Sequence, residues 1–233
     1  MTLAKNLISD LKKLANKEQA KNLQRFFKTG IGEYGEGDIF WGLKVPQIRQ
    51  IAKNYYNLNF FDVEKLIKNP VHEIRLCALV ILAHKAKTDE KMAYKIYLRN
   101  TKCINNWDLV DLTAPQILGA YLDGKDQRVL EKLAKSKSLW EKRIAMLATF
   151  HFIYNGDVKP TLKIAEILVY DDCDLIQKAV GWMLREVGKR CSQRAEEEFL
   201  KKYAKNMPRT MLRYAIERFS QEKREYYLKQ DKH

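Results

Sequence analysis

The segment NNWDLVD, residues 105–111, places a tryptophan and two carboxylates within about one helical turn. Trp107 and Asp111 are four residues apart, so a helix puts them on one face, while Asp108 points roughly 100° away from the ring. Either preceding asparagine can cap this helix, and a carboxylate in the first turn suits the helix dipole. Asp111 lies further in, where it either forms a salt bridge with a basic neighbour or acts on a substrate.

The segment GWMLRE combines an aromatic ring with cations. Lys178 lies four residues before Trp182 and Arg185 lies three residues after it, so one helix face presents a ring flanked by two positive charges. A tryptophan at helical spacing is more often a core residue than a functional one. The small residue Gly181 allows another group to approach the helix closely, which favours an exposed ring.

Two more segments repeat the combination of ring and charge. In LWEKR, Arg143 follows Trp140 by three residues and can either stack on the ring or reach a phosphate. RFFK, near the N-terminus, holds Phe26 beside basic residues. Each of these segments alone is a weak signal, and the three aromatic–basic segments beside the acidic one are more informative together.

The charge of the chain points to polyanions. Its 43 Lys and Arg outnumber its 29 Asp and Glu, which gives a formal net charge of +14. The basic residues are spread along every segment and form no polybasic block of the membrane-anchor kind, so nucleic acid is favoured over a membrane. A solvated basic surface without a partner is the alternative.

Several kinds of site are not indicated by the sequence. The scattered histidines and cysteines form no CxxC or HExxH spacing, so we expect no metal, and no cofactor motif is present. GIGEYG, residues 30–35, matches a dinucleotide fingerprint by its letters only, because it follows a helical segment and carries acidic residues. We interpret residues 30–49 as a flexible connection that leads into a helix at Pro46, with glycines that serve close packing or a mobile loop.

Helical periodicity extends nearly from end to end and predicts a protein without sheets. Four helical segments carry a basic residue in or beside the apolar run, at Arg75, Arg143, Lys178 and Arg213, with separations of 68, 35 and 35 residues. A period of about 34 residues with two helices per unit is typical of an α-solenoid. We therefore predict an all-α, HEAT-like solenoid of antiparallel helix pairs, a single domain over residues 1–233, with a basic concave surface.

The missing unit of this repeat falls near residue 109, inside NNWDLVD, where Asp111 replaces a basic residue.

The residues alone leave two classes of function open. One is an enzyme that acts on DNA with a single carboxylate and aromatic rings, and the other is a noncatalytic helical scaffold for nucleic acid or protein.

Four segments together resemble the AlkD-type DNA glycosylases of the HEAT-like alkylation-repair family. These segments are NNWDLVD, the arginine of WEKR, IQKAVGWMLRE and GEYGEGDIFWGLKVPQIR, and the resemblance spans nearly the whole chain. It implies a monomeric, metal-free enzyme that excises cationic N3- and N7-alkylated purines from double-stranded DNA without drawing the base into a deep pocket. The alternative within the family is a noncatalytic DNA-binding paralogue.

The same resemblance assigns roles to individual residues. Asp111 matches the catalytic carboxylate, Trp107 and Trp182 match two aromatic residues that contact the lesion, and Arg143 matches an arginine that holds the DNA backbone. Phe26 falls where the family commonly has tyrosine, so a hydrogen bond from that hydroxyl is in doubt.

The location of the protein is also an expectation. The stretch MTLAKNLISDLKKLANKEQ is an amphipathic, charged helix without the apolar core of a signal peptide, and the longest apolar run, LCALVILA, is too short to span a membrane. We expect a cytoplasmic protein.

Overall fold

The computed structural model describes residues 2–229, which form helices joined by short turns. Within this range there is no strand, and an isolated β-bridge joins Ile39 to Val71. The predicted all-α fold class is confirmed. The chain divides into two compact units, one ending at Ile117 and one beginning at Leu118. A single repeat domain over residues 1–233 stays a prediction.

The first unit is built around one buried helix. Its helices are α1 (Leu3–Lys13), α2 (Lys17–Phe26), α3 (Val45–Lys53), α4 (Phe60–Ile67), α5 (His72–Lys85), α6 (Glu90–Arg99) and α7 (Trp107–Asp111). Helix α5 packs against α1, α3, α4, α6 and α7, and eleven of its fourteen residues are buried. Helix α1 lies in the stretch predicted to be helical at the N-terminus, of which Met1 is outside the described residues.

The second unit is organised in a similar way around α13. Its helices are α8 (Ala120–Leu122), α9 (Arg128–Ala134), α10 (Leu139–Ala148), α11 (Phe150–Tyr154), α12 (Lys159–Leu168), α13 (Asp174–Arg190), α14 (Gln193–Tyr203), α15 (Arg209–Ala215) and α16 (Gln221–Lys229). Helix α13 packs against α10, α11, α12, α14 and α15. Its buried face is apolar along most of its length, which is the pattern of a central helix.

The helices recur at the period that the sequence indicates. Helices α5 and α7 begin 35 residues apart, at His72 and Trp107, and α10, α13 and α15 begin 35 residues apart, at Leu139, Asp174 and Arg209. The unit predicted near residue 109 is therefore present and is the short helix α7. Within residues 2–229, no helix is both long and apolar enough to cross a membrane.

Candidate functional site

Helix α7 carries the central candidate residues of the first unit. The side chain of Asn106 accepts a hydrogen bond from the Trp107 backbone N–H, at 2.9 Å, and caps the helix as the sequence indicates. Trp107 and Asp111 are the first and last residues of this five-residue helix, and both are half-buried. Their spacing of one turn places the ring and the carboxylate on one face.

The Trp107 ring belongs to an aromatic stack. It lies parallel to the buried Phe27 ring, with centroids 5.0 Å apart, and Phe27 in turn stacks on Phe40 at 5.0 Å. Phe26 contacts the Trp107 ring edge-on at 5.7 Å and is 62% exposed. The structure thus brings together Phe26 and Trp107, two of the residues that the sequence singles out. The exposed Phe26 ring lies beside the Trp107 ring, which stacks on Phe27.

A buried cluster of charged residues lies next to this stack. The His72 ring bonds on one side to Asp38, with Nδ1 and Oδ2 3.0 Å apart, and on the other to Asp108, with Nε2 and Oδ2 2.8 Å apart. Arg75 Nη2 donates to Asp38 Oδ1 at 2.6 Å. These four side chains, which we call the Asp–His–Arg–Asp cluster, hold two potential cations and two carboxylates, and each residue is less than a tenth exposed.

The cluster shifts the acid–base properties of its members. Burial disfavours a charged His72, but the neighbouring carboxylates Asp108 and Asp38 outweigh it and raise the pKa of His72 to about 9. Burial also opposes ionisation of Asp38, yet the hydrogen bond from His72 and the charge of Arg75 hold the pKa of this carboxyl below its usual value. His72 is therefore a cation at neutral pH.

The segment of residues 30–49, which we call the glycine-rich connection, is held in place at several points. The buried carboxylate of Glu73 accepts hydrogen bonds from the backbone N–H groups of Trp41, Gly42 and Leu43, at 2.7 to 3.2 Å. Gly42 has a φ of +87°, and a Cβ at this position would overlap the carbonyl oxygen of Asn16. The prediction that these glycines serve close packing is thus supported at Gly42, and the interpretation of the segment as flexible stays a prediction. Helix α3 begins beside Pro46 as predicted.

The sequence predicts a column of four exposed basic residues, but two of them, Arg75 and Arg143, are buried. The prediction is wrong at these two positions. Arg75 is 4% exposed because it bonds to Asp38 and to the carbonyl groups of Asn69 and Pro70. Arg143 is 6% exposed, and its Nη1 donates to the carbonyl oxygen of Leu175 at 2.6 Å. A role of Arg143 on a DNA backbone stays a prediction.

In the second unit, Trp182 lies on α13 and is half-buried. Its ring is tilted against Phe150, with centroids 5.7 Å apart. Gly181 is packed against the backbone of Met211, so its close approach serves helix packing between α13 and α15. Gly181 therefore gives no support to an exposed Trp182 ring.

The cations that flank Trp182 have carboxylate partners. Lys178 Nζ lies 2.7 Å from Asp174, and Arg185 forms ion pairs with Glu217 and Glu186. Arg185 is half-buried, whereas Lys178 is more accessible. Binding of DNA by either residue stays a prediction, and an incoming phosphate would compete with these carboxylates.

The second unit also holds a buried carboxyl that the sequence does not indicate. Glu196 is 2% exposed, and within residues 2–229 its Oε1 has no hydrogen-bond partner. Burial, helped by the charge of Glu197 and opposed by Arg185, raises the pKa of Glu196 to about 8. The protonated carboxyl is therefore the form that the fold prefers.

We expect Glu196→Gln to change the pH dependence of stability. The pKa of Glu196 is higher in the folded than in the unfolded protein. Its stabilising contribution to the free energy of unfolding is therefore complete below about pH 4.5 and is lost as pH rises through about 8. The Gln variant, which cannot ionise, should unfold near the wild-type temperature at pH 5 and several degrees higher at pH 8.5. Calorimetry at both pH values measures this, and an equal shift at both would contradict it.

Metal-ligating residues are not clustered in the part of the chain that the structure describes: no three His, Cys, Asp or Glu side chains are grouped so that they could hold a metal ion. A metal-free site stays a prediction.

Comparison with known proteins connects this fold with DNA repair. A family model with the description "DNA alkylation repair enzyme" matches residues 7–219. A solved structure described as a predicted DNA alkylation repair enzyme from Enterococcus faecalis has a TM-score of 0.68 and 17% sequence identity to this chain. That similarity covers 89% of this chain and 97% of the other, and shows a shared fold. No curated protein matches the sequence.

Proposed function

Because this chain belongs to the DNA alkylation repair enzyme family, we propose that it is a DNA glycosylase that excises cationic N3- and N7-alkylated purines from double-stranded DNA. The reaction is hydrolysis of the N-glycosidic bond by a monomeric enzyme that uses no metal or cofactor. The observation that carries this proposal is the pairing of Trp107 with Asp111 on one helix, with Phe26 beside the ring.

The chemistry explains a carboxylate in so basic a protein. As the bond from C1′ to the base nitrogen breaks, its electrons neutralise the positive charge of the alkylated base, and positive charge develops on the deoxyribose. The Asp111 carboxylate stabilises that charge and orients a water molecule. The oxygen of this water bonds to C1′, and the water loses one proton to solvent. The acid faces a developing cation, whereas the basic residues around it face phosphates.

The aromatic rings have a complementary role. A cation over a tryptophan face gains about 0.5 kcal/mol when exposed and about 2 kcal/mol when desolvated. Phe27 supports one face of Trp107, so the ring is held before the lesion arrives and little conformational entropy is lost on binding. Phe26 offers a ring without a hydroxyl, so its contribution is a π-face and a hydrophobic contact.

Basic residues of the first unit supply phosphate contacts. A groove of about 310 Å³ is lined in part by Arg49, Lys53, Tyr56 and Gln116, and it also includes Leu112, which directly follows Asp111. Within residues 2–229, neither Arg49 nor Lys53 has a carboxylate partner. With a net charge of +14, the protein should bind duplex DNA with an affinity that falls steeply as salt rises.

The alkylated base stays outside a deep pocket in this proposal. An enzyme that does not enclose the base should tolerate bulky N7 adducts that a base-flipping enzyme rejects. A structure of the complex with the lesion base enclosed in protein would overturn this part of the proposal.

The deciding experiment is base release. Purified protein is incubated with methylated duplex DNA, and free 7-methylguanine and 3-methyladenine are quantified by mass spectrometry. We expect both bases to be released faster than in buffer alone. Salt-sensitive DNA binding without release would instead identify a noncatalytic DNA-binding paralogue, and the absence of both would favour a protein-binding scaffold.

We expect Trp182→Ala to weaken processing of the lesion more than binding of undamaged DNA. A ring contact to a base contributes about 1–3 kcal/mol, so the excision rate should fall roughly tenfold while the Kd for undamaged duplex changes little. Trp182→Phe, which keeps an aromatic face against Phe150, is the matched control and should keep most of the rate. Equal losses of rate and of undamaged-DNA affinity would contradict a role at the lesion.

A further inference from the structure

Helix α7 is too short to hold its own position. It contains five residues, whereas isolated helices shorter than about 12 residues are marginal in water. The capping hydrogen bond that Asn106 accepts from the Trp107 N–H fixes the local turn but not the place of the helix against the rest of the unit. The orientation of Trp107 and Asp111 must therefore come from contacts with other segments.

The residues around Trp107 are all tied to the Asp–His–Arg–Asp cluster. Before the ring, Asn105 Nδ2 donates to Asp38 Oδ1 at 3.2 Å, and Asn105 Oδ1 accepts from Arg75 Nη2 at 3.1 Å. Asn106 Nδ2 lies 3.5 Å from Asp38 Oδ2. After the ring, Asp108 bonds to His72 at 2.8 Å. Trp107 is thus bracketed on both sides by side chains anchored to one buried centre.

A second connection runs through the aromatic rings. The His72 ring stacks on Phe40 with centroids 4.4 Å apart and lies 5.2 Å from Phe27. Phe27 is the ring on which Trp107 stacks. A shift of His72 would therefore reach Trp107 by a polar route through Asp108 and by an apolar route through Phe27.

The charges of the cluster are balanced when His72 is protonated. Each ring nitrogen faces a carboxylate oxygen, and an ionised carboxylate can only accept a hydrogen bond, so both nitrogens must carry a proton. The charged groups that face His72 are Asp38 from the glycine-rich connection, Arg75 from α5, which also carries His72, and Asp108 from α7. Two cations then match two carboxylates, which is the condition under which a buried set of charges is tolerated.

We propose that the Asp–His–Arg–Asp cluster sets the orientation of α7, and that His72 is a positioning residue for base excision although it contacts no DNA. This inference rests on the proposed function. It gives a role to Asp38, one of the acidic residues of the glycine-rich connection, which the glycosylase chemistry itself leaves unused. The cluster acts through Trp107 and Asp111, since these are the residues of α7 that face the substrate in the proposed reaction.

The test measures the stability of α7 in its folded position and the rate of the chemical step in two separate assays. Hydrogen–deuterium exchange at the amides of residues 107–111 reports the helix, and single-turnover excision at saturating enzyme reports the chemical step. For His72→Ala we expect α7 to exchange at least about tenfold faster. The excision rate should fall about 10- to 100-fold, because a misplacement of about 1 Å has that effect, while the Kd for undamaged duplex stays within about twofold.

Asp108→Asn is the conservative variant. A neutral amide can donate to the Nε2 of a neutral imidazole while its oxygen still accepts from the Leu109 N–H, so geometry and charge balance both survive. Only the charge assistance of the bond is lost, which corresponds to about a fivefold slower rate. We therefore expect Asp108→Asn to stay close to wild type in α7 exchange and to excise the base faster than His72→Ala does.

Cys77→Ala is the matched control for loss of stability. Cys77 is fully buried on α5, the helix that carries His72, and has no bond to the cluster. It should lower the unfolding temperature without changing α7 exchange or the excision rate. If His72→Ala behaves like Cys77→Ala in both assays, the positioning role is overturned. If the wild type releases no base, the proposed function fails, and exchange at α7 alone decides whether the cluster holds the helix.

Discussion

Replacement of Asp111 by asparagine should abolish most base excision and leave duplex binding intact. The variant keeps the size and shape of the side chain but removes the charge that stabilises the developing cation. Loss of one preorganised electrostatic group typically slows the chemical step about 100- to 1,000-fold. The Kd for duplex DNA should stay equal or become slightly tighter, because one negative charge is removed from a basic surface. Single-turnover release of 7-methylguanine and a binding titration measure the two effects.

Asp62→Asn is the control for the change in net charge. Asp62 lies in the first turn of α4 in the same unit and bonds to Asn59, so its replacement alters the charge equally without touching α7. It should excise at the wild-type rate. Retained activity in Asp111→Asn would remove the catalytic assignment, whereas equal losses in both variants would trace the effect to overall charge.

Replacement of Glu73 by alanine should destabilise the protein more than any single surface change. The Glu73 carboxylate accepts from three consecutive backbone N–H groups, at Trp41, Gly42 and Leu43, and the residue is 1% exposed. Each buried donor left without an acceptor costs about 1–3 kcal/mol, so we expect a loss of about 4 kcal/mol or more in the free energy of unfolding. Denaturant titration followed by circular dichroism measures this loss.

Glu73→Gln is the matched variant, because its amide oxygen still accepts while its NH₂ group cannot. It should lose about half as much free energy as Glu73→Ala. A loss below about 1 kcal/mol for Glu73→Ala would mean that water satisfies the three N–H groups, and the connection would then not depend on the carboxylate.

The helical architecture could be predicted because it follows from local pattern. Apolar periodicity predicts the helices, and the recurrence of about 34 residues predicts a unit at the position of α7. The capping asparagine before Trp107 and the close packing at Gly42 were also accessible, since both follow from the preferences of single residue types.

The buried charges could not be predicted from local pattern. Local pattern places Arg75 at the surface because charged residues are seldom fully buried, and only its partners in the folded chain explain its burial. A signal is nevertheless present: His72, Glu73 and Arg75 occupy the first turn of α5, directly before the buried apolar run that starts at Leu76, where polar groups need buried partners. The acidic residues of the glycine-rich connection, Asp38 among them, were the available counterparts.

The carboxylates and cations around α7 also determine when the candidate site can form during folding. Asp38 and Asn105 are 67 residues apart in sequence, and His72 and Asp108 are 36 apart. Contacts of such separation carry a large loop-closure entropy and form after the local helices. We therefore expect α7 to be among the last elements of the first unit to become ordered, so that a partly folded chain has most of its helices but no assembled Trp107–Asp111 face.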